Sequence, residues 1–198
     1  MIVADIEASG LDPKRSALVS IGAVDFSNPE RQFYAEPRIR EDAHCDPESL
    51  AVNGFSEAEC RDPKKKSLKK VMEEFYAWLE PIEERTLVGQ NTSFDRDFIN
   101  DSFGRSGISW HFSFRTLDLH TIAYVDHLKR GIPIPTEHAR TALNLDTILA
   151  YVGIPGEPKP HNALTGAKVE AEALSRILYG KNLLPEFAQY PMPEMFLK

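Results

Sequence analysis

Apolar residues fall along this chain first in short runs and later at three- and four-residue spacing. Ile2 to Glu7 and Ala17 to Phe26 read as buried strands and Arg31 to Glu36 as a third, with Ser27-Asn28-Pro29-Glu30 breaking the second from the third. Three adjacent strands with short turns predict an antiparallel meander. The pattern then turns helical. Pro47 to Val52 predicts a short helix behind the capping residue Asp46, and Leu68, Val71, Met72, Phe75, Trp78 and Leu79 form an amphipathic stripe that stops before Pro81. Thr86-Leu87-Val88-Gly89 and Phe114 to Leu119 predict two further strands. Helices are expected over about 94–103, through Ile122, Ala123, Val125 and Leu128, through Leu145, Ile148, Leu149 and Val152, and from Ala163 to Leu178. A meander followed by strands alternating with helices predicts an α/β domain with a mixed five-stranded sheet over residues 1–180. Residues 181–198 lack periodicity and carry Pro185, Pro191 and Pro193, which predicts a C-terminal surface tail.

Composition narrows the function classes. With 198 residues and 42% hydrophobic content the chain suits one domain with a sizeable core. No apolar run approaches the ~20 residues that span a bilayer. The first strand starts at residue 2 and leaves no room for a secretory leader, so a cytoplasmic location is expected. Cys45 and Cys60 are the only cysteines, and their spacing indicates neither a zinc site nor a disulfide framework. The net charge of −7 argues against coating duplex nucleic acid by electrostatics. It leaves open action on a nucleic-acid end, where metal ions supply local positive charge. The basic run Lys64 to Lys70 is expected as a solvated loop and helix start.

The candidate chemistry sits at element ends. In a strand over Ile2 to Glu7, Asp5 and Glu7 point to one face. Two carboxylates on one face repel unless water or a cation lies between them, and oxygen donors suit hard ions such as Mg²⁺ or Mn²⁺. Asp95 falls in the first turn of the helix after Gly89, and His161 lies just ahead of the long Ala163 helix. Each feature alone is ordinary: an acidic pair at a sheet edge, a helix-start acid favoured by the macrodipole, a capping histidine.

Together they resemble the DEDDh group of 3′–5′ exonucleases, which includes the proofreading epsilon subunit of bacterial DNA polymerase III, ribonuclease T and oligoribonuclease. Asp5-x-Glu7 with Ser9-Gly10-Leu11 matches the first motif, Asn91-x-x-Phe94-Asp95 the second and His161-x-Ala163-Leu164 the third. Asn53-Gly54-Phe55-Ser56, Leu117-Asp118-Leu119 and the stretch from Asn144-Leu145-Asp146 to Gly153-Ile154 add smaller likenesses in the right order. The resemblance implies a ribonuclease H-like sheet flanked by helices, two Mg²⁺ or Mn²⁺ ions, and release of nucleoside 5′-monophosphates from single-stranded or frayed DNA or RNA 3′ ends. It implies Asp5 as a ligand bridging the ions, Glu7 assisting one and Asp95 holding the second. His161, whose ordinary pKa near 6.5 suits proton transfer at neutral pH, becomes the general base. Backbone groups of Ala8, Ser9 and Gly10 would face the terminal nucleotide, Leu11 would wedge against its base, and Asn91 and Phe94 would shape the cleft. Ribonuclease T-like members are homodimers and epsilon-like ones join polymerase assemblies; the sequence does not choose between them.

One position departs from the pattern. The third motif carries an Asp five residues after the His, and here that residue is Gly166. The expected fourth metal ligand is missing from its place. Three readings follow: a chain inactivated by substitution, a degenerate exonuclease fold that binds nucleic acid or a polymerase partner without turnover, or replacement by another acid. Glu170 lies one turn further on the same helix face, displaced by ~5–6 Å along the axis, and replacement by it requires the helix to shift. Glu172 lies on a different face. On the missing-ligand reading the chain works slowly and Gly166→Asp raises its rate at least ~100-fold. The segment Gln189-Tyr190-Pro191-Met192 faintly resembles a clamp-docking peptide, which would suit an acidic scaffold for a polymerase.

Overall fold

The computed structural model describes residues 1–197. Five strands form one sheet in the order β3-β2-β1-β4-β5: β1 (Ile2–Ala8), β2 (Leu18–Asp25), β3 (Gln32–Ala35), β4 (Leu87–Gly89) and β5 (Leu117–Asp118). The first three pair antiparallel, and β4 and β5 join parallel to β1. The expected meander and mixed sheet are both present.

Alternation along β1 decides what each face meets. Ile2, Ala4 and Ile6 pack with Phe75 of α3 (Leu68–Leu79) and with Phe98 and Phe103 of α4 (Thr92–Arg105). Val3 faces the other layer, with Leu119 and Ala123 of α5 (Leu119–Arg130), Ile148 and Leu149 of α6 (Leu145–Tyr151), and Leu174 of α7 (Ala163–Tyr179). With both faces covered, β1 has no solvent side on which to place polar residues. Asp5 and Glu7 share the face of Val3, under α7.

Two glycines set how closely α7 can lie. Gly22 of β2 pairs across the ladder with Asp5, and a Cβ there would come within 2.2 Å of the Ala163 carbonyl carbon and the Leu164 nitrogen. A Cβ on Gly166 would come within 2.1 Å of Asp5 Oδ2. At Gly22 the neighbours are backbone atoms and only hydrogen fits, while at Gly166 the neighbour is the Asp5 side chain, so the first turns of α7 press directly onto β2 and Asp5. Asn162 caps that helix, its side-chain oxygen accepting from the nitrogens of Leu164 (3.1 Å) and Thr165 (3.2 Å).

The structure adds α1 (Pro47–Asn53), as expected, and elements the periodicity does not announce. These are a one-turn helix α2 (Glu57–Cys60) and a polar hairpin of β6 (Thr136–Glu137) with β7 (Arg140–Thr141). The basic run behaves as predicted: Ser67 caps α3, Lys65 pairs with Glu36 at 2.5 Å and Lys66 with Glu74 at 2.7 Å. Cys45 and Cys60 are both free thiols.

The C-terminal segment lies largely exposed but is anchored: Leu184, Phe187 and Phe196 are buried in the α7 layer through turns at Pro185–Phe187 and Glu194–Phe196. Arg176 of α7, itself fully buried, donates to the carbonyls of Phe187 (3.1 Å) and Tyr190 (3.0 Å) and is paired with Glu172 at 2.8 Å. The clamp-like stretch Gln189 to Met192 is thereby held against the core at Tyr190 and Met192. Buried aromatic anchors can dock an irregular segment without leaving a periodic trace in the sequence.

Candidate active site

Pairing between β1 and β4 covers only Ile2 and Val3. Beyond that point the strands part, and the free Ile6 nitrogen donates to Asp95 Oδ1 at 3.1 Å. This bond carries the first turn of α4 to β1, with the Asp95 carboxylate at the Ile6 amide, the residue between Asp5 and Glu7. The turn feeding α4 is fixed from several sides. Asn91 adopts a left-handed conformation (φ 58°), Thr92 Oγ1 donates to the Gly89 (2.9 Å) and Leu117 (3.0 Å) carbonyls, and Asp118 Oδ2 accepts from the Thr92 nitrogen (3.0 Å). A bulge between Glu7 and Ala8 re-aims the end of β1.

The charges of Asp5, Glu7 and Asp95 therefore act on one another at this end of β1. Asp5 keeps partial access to solvent, whereas Glu7 and Asp95 are buried. Burial pushes the Asp5 carboxyl well above its ordinary range, and the charges of Glu170, Asp95, Glu7 and Glu157 push it the same way. Glu7 rises to about 7 through burial and the nearby Glu157, against a hydrogen bond from Asn53. Asp95 and Glu170 are also raised well above ordinary carboxylates, chiefly by burial. No lysine or arginine stands among the groups acting most strongly on these four acids. Buried like charges without a cation are costly, and a divalent ion with oxygen preference would relieve them.

His161 sits at the rim, one third exposed, its Nδ1 3.6 Å from Glu157 Oε2. Ligand atoms of Glu7, Glu157 and His161 all lie within 4.8 Å of one another. The His161 nitrogen donates to the Val52 carbonyl (3.2 Å), and Glu157 Oε1 accepts from the Asn162 nitrogen (3.3 Å), which holds the loop before α7 in place. An open groove beside the imidazole is lined by Ala51, Val52, Asp146, Lys159 and Pro160.

The remaining expected residues divide. Leu11 projects from its loop, 82% exposed, and is free to meet a ligand. Ser9 and Ala8 are committed internally. The Ser9 nitrogen and hydroxyl donate to the carbonyls of Ala17 (2.9 Å) and His44 (2.7 Å), the Ser9 carbonyl accepts from Asp46 (2.7 Å), and the Ala8 carbonyl accepts from Asn53 Nδ2 (3.2 Å). These groups shape the loop, and Gly10 is buried within it against Ser16. Phe94 is half-buried against Phe98 at 4.9 Å, and Asn91 is exposed with no side-chain cap bond. Gly166 lies against Asp5, where the resemblance expects a fourth ligand. Glu157 lies in an irregular loop that the sequence pattern does not mark, and Asn53, which the sequence places only within the Asn53-Gly54-Phe55-Ser56 likeness, braces both Ala8 and Glu7. Axial distance alone places Glu170 one helical turn from the expected position.

Known proteins share the family pattern and the fold of this chain. A family model described as exonuclease, of the RNase T type, matches residues 2–174. The chain is 30% identical over 178 residues to the 3′–5′ DNA exonuclease Cap18 of Escherichia coli, covering 85% of this chain and 86% of that one. It is 24% identical over 178 residues to the PolC-type DNA polymerase III of Thermotoga maritima, covering 89% of this chain but only 12% of the polymerase. Among solved structures, E. coli exonuclease I in complex with a dA16 oligonucleotide superposes with a TM-score of 0.71 at 16% identity, over 91% of this chain and 40% of that one. The nuclease domain of 3′hExo, a DEDDh family member bound to rAMP, gives 0.69 at 16% identity, over 92% and 93%. The sheet and its flanking helices are thus ribonuclease H-like. Among the described residues no helix is long and apolar enough to cross a membrane.

Proposed function

The chain belongs to the DEDDh exonuclease family, and from that membership we propose that it is a metal-dependent 3′–5′ exonuclease releasing nucleoside 5′-monophosphates from single-stranded or frayed ends. What supports this reading is the acidic end of β1, where Asp5 and Glu7 share a face and Asp95 accepts from the Ile6 nitrogen between them, with ligand atoms of Glu7, Glu157 and His161 within 4.8 Å of one another at the rim.

The donor set fits hard divalent ions: Asp5, Glu7, Asp95 and Glu170 offer carboxylate oxygens, one of which, Glu170 Oε2, has no hydrogen-bond partner. Two ions of the Mg²⁺ or Mn²⁺ kind, held by Asp5, Glu7 and Asp95, would lower the pKa of a bound water and offset charge on the scissile phosphate. This chain's own residues do the rest. Glu157 beside Nδ1 orients the imidazole and favours a proton on that nitrogen, which leaves His161 Nε2 to take the proton of the attacking water. Leu11, exposed on its loop, packs against the terminal base. Lys159, in the groove beside His161, supplies positive charge toward the phosphate backbone.

DNA is the proposed substrate before RNA, because the relative of matching length is a DNA exonuclease. A polymerase-type partner rests on the PolC-type relative alone. The test is a panel of 3′-labelled single-stranded DNA and RNA oligonucleotides digested with Mn²⁺ or Mg²⁺, using the chain as it stands and Asp5→Ala. Mononucleotide release by the first and none by the second is expected. Equal, near-zero release from both would refute the enzyme reading and favour a binding module.

A further inference from the structure

Helix α7 buries two glutamates, and their surroundings differ. Glu172 is fully satisfied: Oε1 pairs with Arg176 at 2.8 Å, and Oε2 accepts from the nitrogens of Leu183 (2.8 Å) and Leu184 (3.0 Å). It is an internal brace for the C-terminal segment. Glu170 is equally hidden, 3% exposed, yet only Oε1 has a partner, the Gln90 nitrogen at 3.1 Å. Its Oε2 is buried with no hydrogen bond. A native protein seldom leaves a buried carboxylate oxygen unpaired, because the desolvation penalty falls on that group in full.

The direction of this side chain follows from helix geometry. Cα–Cβ bonds tilt toward the helix N-terminus, so a residue covers the surface over the turn before it. For Glu170 that turn is the one containing Gly166. Straight axial displacement of one turn, about 5.4 Å, overstates the gap, since the longer Glu side chain leans back across it. The glycines remove the rest of the distance. With no Cβ at 22 or 166, α7 settles onto the sheet until its backbone meets β2 and Asp5. Glu170 then lies beside the end of β4, its Oε2 3.3 Å from where a Cβ on Gly89 would sit, among Asp5, Asp95 and Asp118. A side chain at 166 could enter only by pushing the Asp5 carboxylate aside.

We propose that Glu170 supplies the fourth carboxylate of the divalent-metal site, replacing from one helical turn away the ligand that Gly166 lacks. The assignment rests on the metal-dependent reading above and completes its ligand set; it removes the need to regard Gly166 as a lesion.

The test is Mn²⁺ binding to the full chain by isothermal titration calorimetry, with thermal melts in EDTA as the check on folding. Glu170→Gln keeps the shape and the Gln90 contact while removing the charge. It is expected to melt no lower than the parent in EDTA and to bind Mn²⁺ at least about 10-fold more weakly, in the range seen when metal-site support is lost. Should the glutamine variant not fold, Glu170→Asp, which withdraws the carboxylate by one methylene, is expected to show the same loss. Gly166→Asp, with Glu170 intact, is expected to weaken binding because it displaces Asp5. Either unchanged affinity in a folded Glu170 variant or a 10-fold gain from Gly166→Asp overturns the assignment. Asp5→Asn separates this failure from that of the wider reading: if it abolishes binding while Glu170→Gln does not, only Glu170 is misassigned. If the parent itself binds no Mn²⁺, the metal site as a whole is refuted.

Discussion

Replacing Gly22 by alanine perturbs the site without touching any proposed ligand. Gly22 lies in mid-strand opposite Asp5 and underneath the first turn of α7. The added methyl carbon would stand 2.2 Å from the Ala163 carbonyl carbon and the Leu164 nitrogen and 2.3 Å from the Ala163 oxygen. All three are backbone atoms, so no rotamer change can relieve the overlap. Restoring ordinary contact requires α7 to retreat by about 1 Å, carrying with it His161, which immediately precedes the helix cap, and Glu170. Overpacking of this kind costs about 1–3 kcal/mol. For a domain of this size each kcal/mol is worth about 2–4 °C, so a fall in Tm of about 2–12 °C is expected. A shift of about 1 Å in a reacting group costs on the order of 100-fold in rate. The assay is single-turnover release of labelled nucleotide from a single-stranded 3′ end, paired with a thermal melt. Gly104→Ala serves as control. An added Cβ there meets nothing within 4 Å in α4, so a gain of about 0.5–1 kcal/mol and unchanged turnover are expected. A Gly22→Ala protein that melts within 1 °C of the parent and turns over within about twofold of it would refute the close seating of α7 on which the site geometry depends.

In EDTA, stability should fall as pH rises from 5 to 8. Glu7, held at about 7 against an ordinary 4.5, keeps in the folded state a proton that the unfolded chain has already released. That contribution is fully present below about 4.5 and lost through pH 7, amounting to at most about 3 kcal/mol, and Asp5, Asp95 and Glu170 act in the same direction. The paired acids Glu36 and Glu74, whose carboxyls are lowered, titrate below this window. Saturating Mn²⁺ should reverse the trend, and melts in EDTA that rise or stay flat from pH 5 to 8 would contradict it. Glu157→Gln should lower kcat by about 10-fold with little change in KM, since it withdraws the partner of His161 Nδ1; a change confined to KM would place Glu157 in substrate binding instead. Arg176→Met leaves Glu172 charged and unpaired and frees the Val152, Phe187 and Tyr190 carbonyls. A loss of about 3–5 kcal/mol, or about 6–20 °C in Tm, is expected by thermal melt, and an unchanged Tm would show that the C-terminal segment is not anchored there.

Elements with a long, regular pattern were readable in the chain. The β1–β2–β3 meander, the α3 stripe from Leu68 to Leu79 and the start of α7 at Ala163 all occur where alternation or helical spacing predicts them. Short elements were not. The β6–β7 hairpin is wholly exposed, and its turn uses His138 and Ala139 at positive φ, where an Asn-Gly pair would have marked it. The C-terminal segment looked unanchored because its contacts are isolated aromatics and carbonyls received by Arg176. At the site, Asp5, Glu7 and Asp95 were visible because strand alternation and a helix start place them. Glu157 was hidden in a loop whose path no local rule dictates. For Glu170, axial rise alone gives a displacement of one turn, and the proposed role depends on the backward lean of helical side chains and the room made by Gly22 and Gly166, which no sequence pattern displays.

The most direct measurement is the location of Mn²⁺ by anomalous diffraction from crystals soaked in the ion. Peaks within about 2.5 Å of carboxylate oxygens of Asp5, Glu7 and Asp95, with Glu170 Oε2 completing the set, are expected. Crystals that take up Mn²⁺ elsewhere, with this pocket empty at saturating concentration, would contradict the assignment of the carboxylate cluster as the catalytic centre.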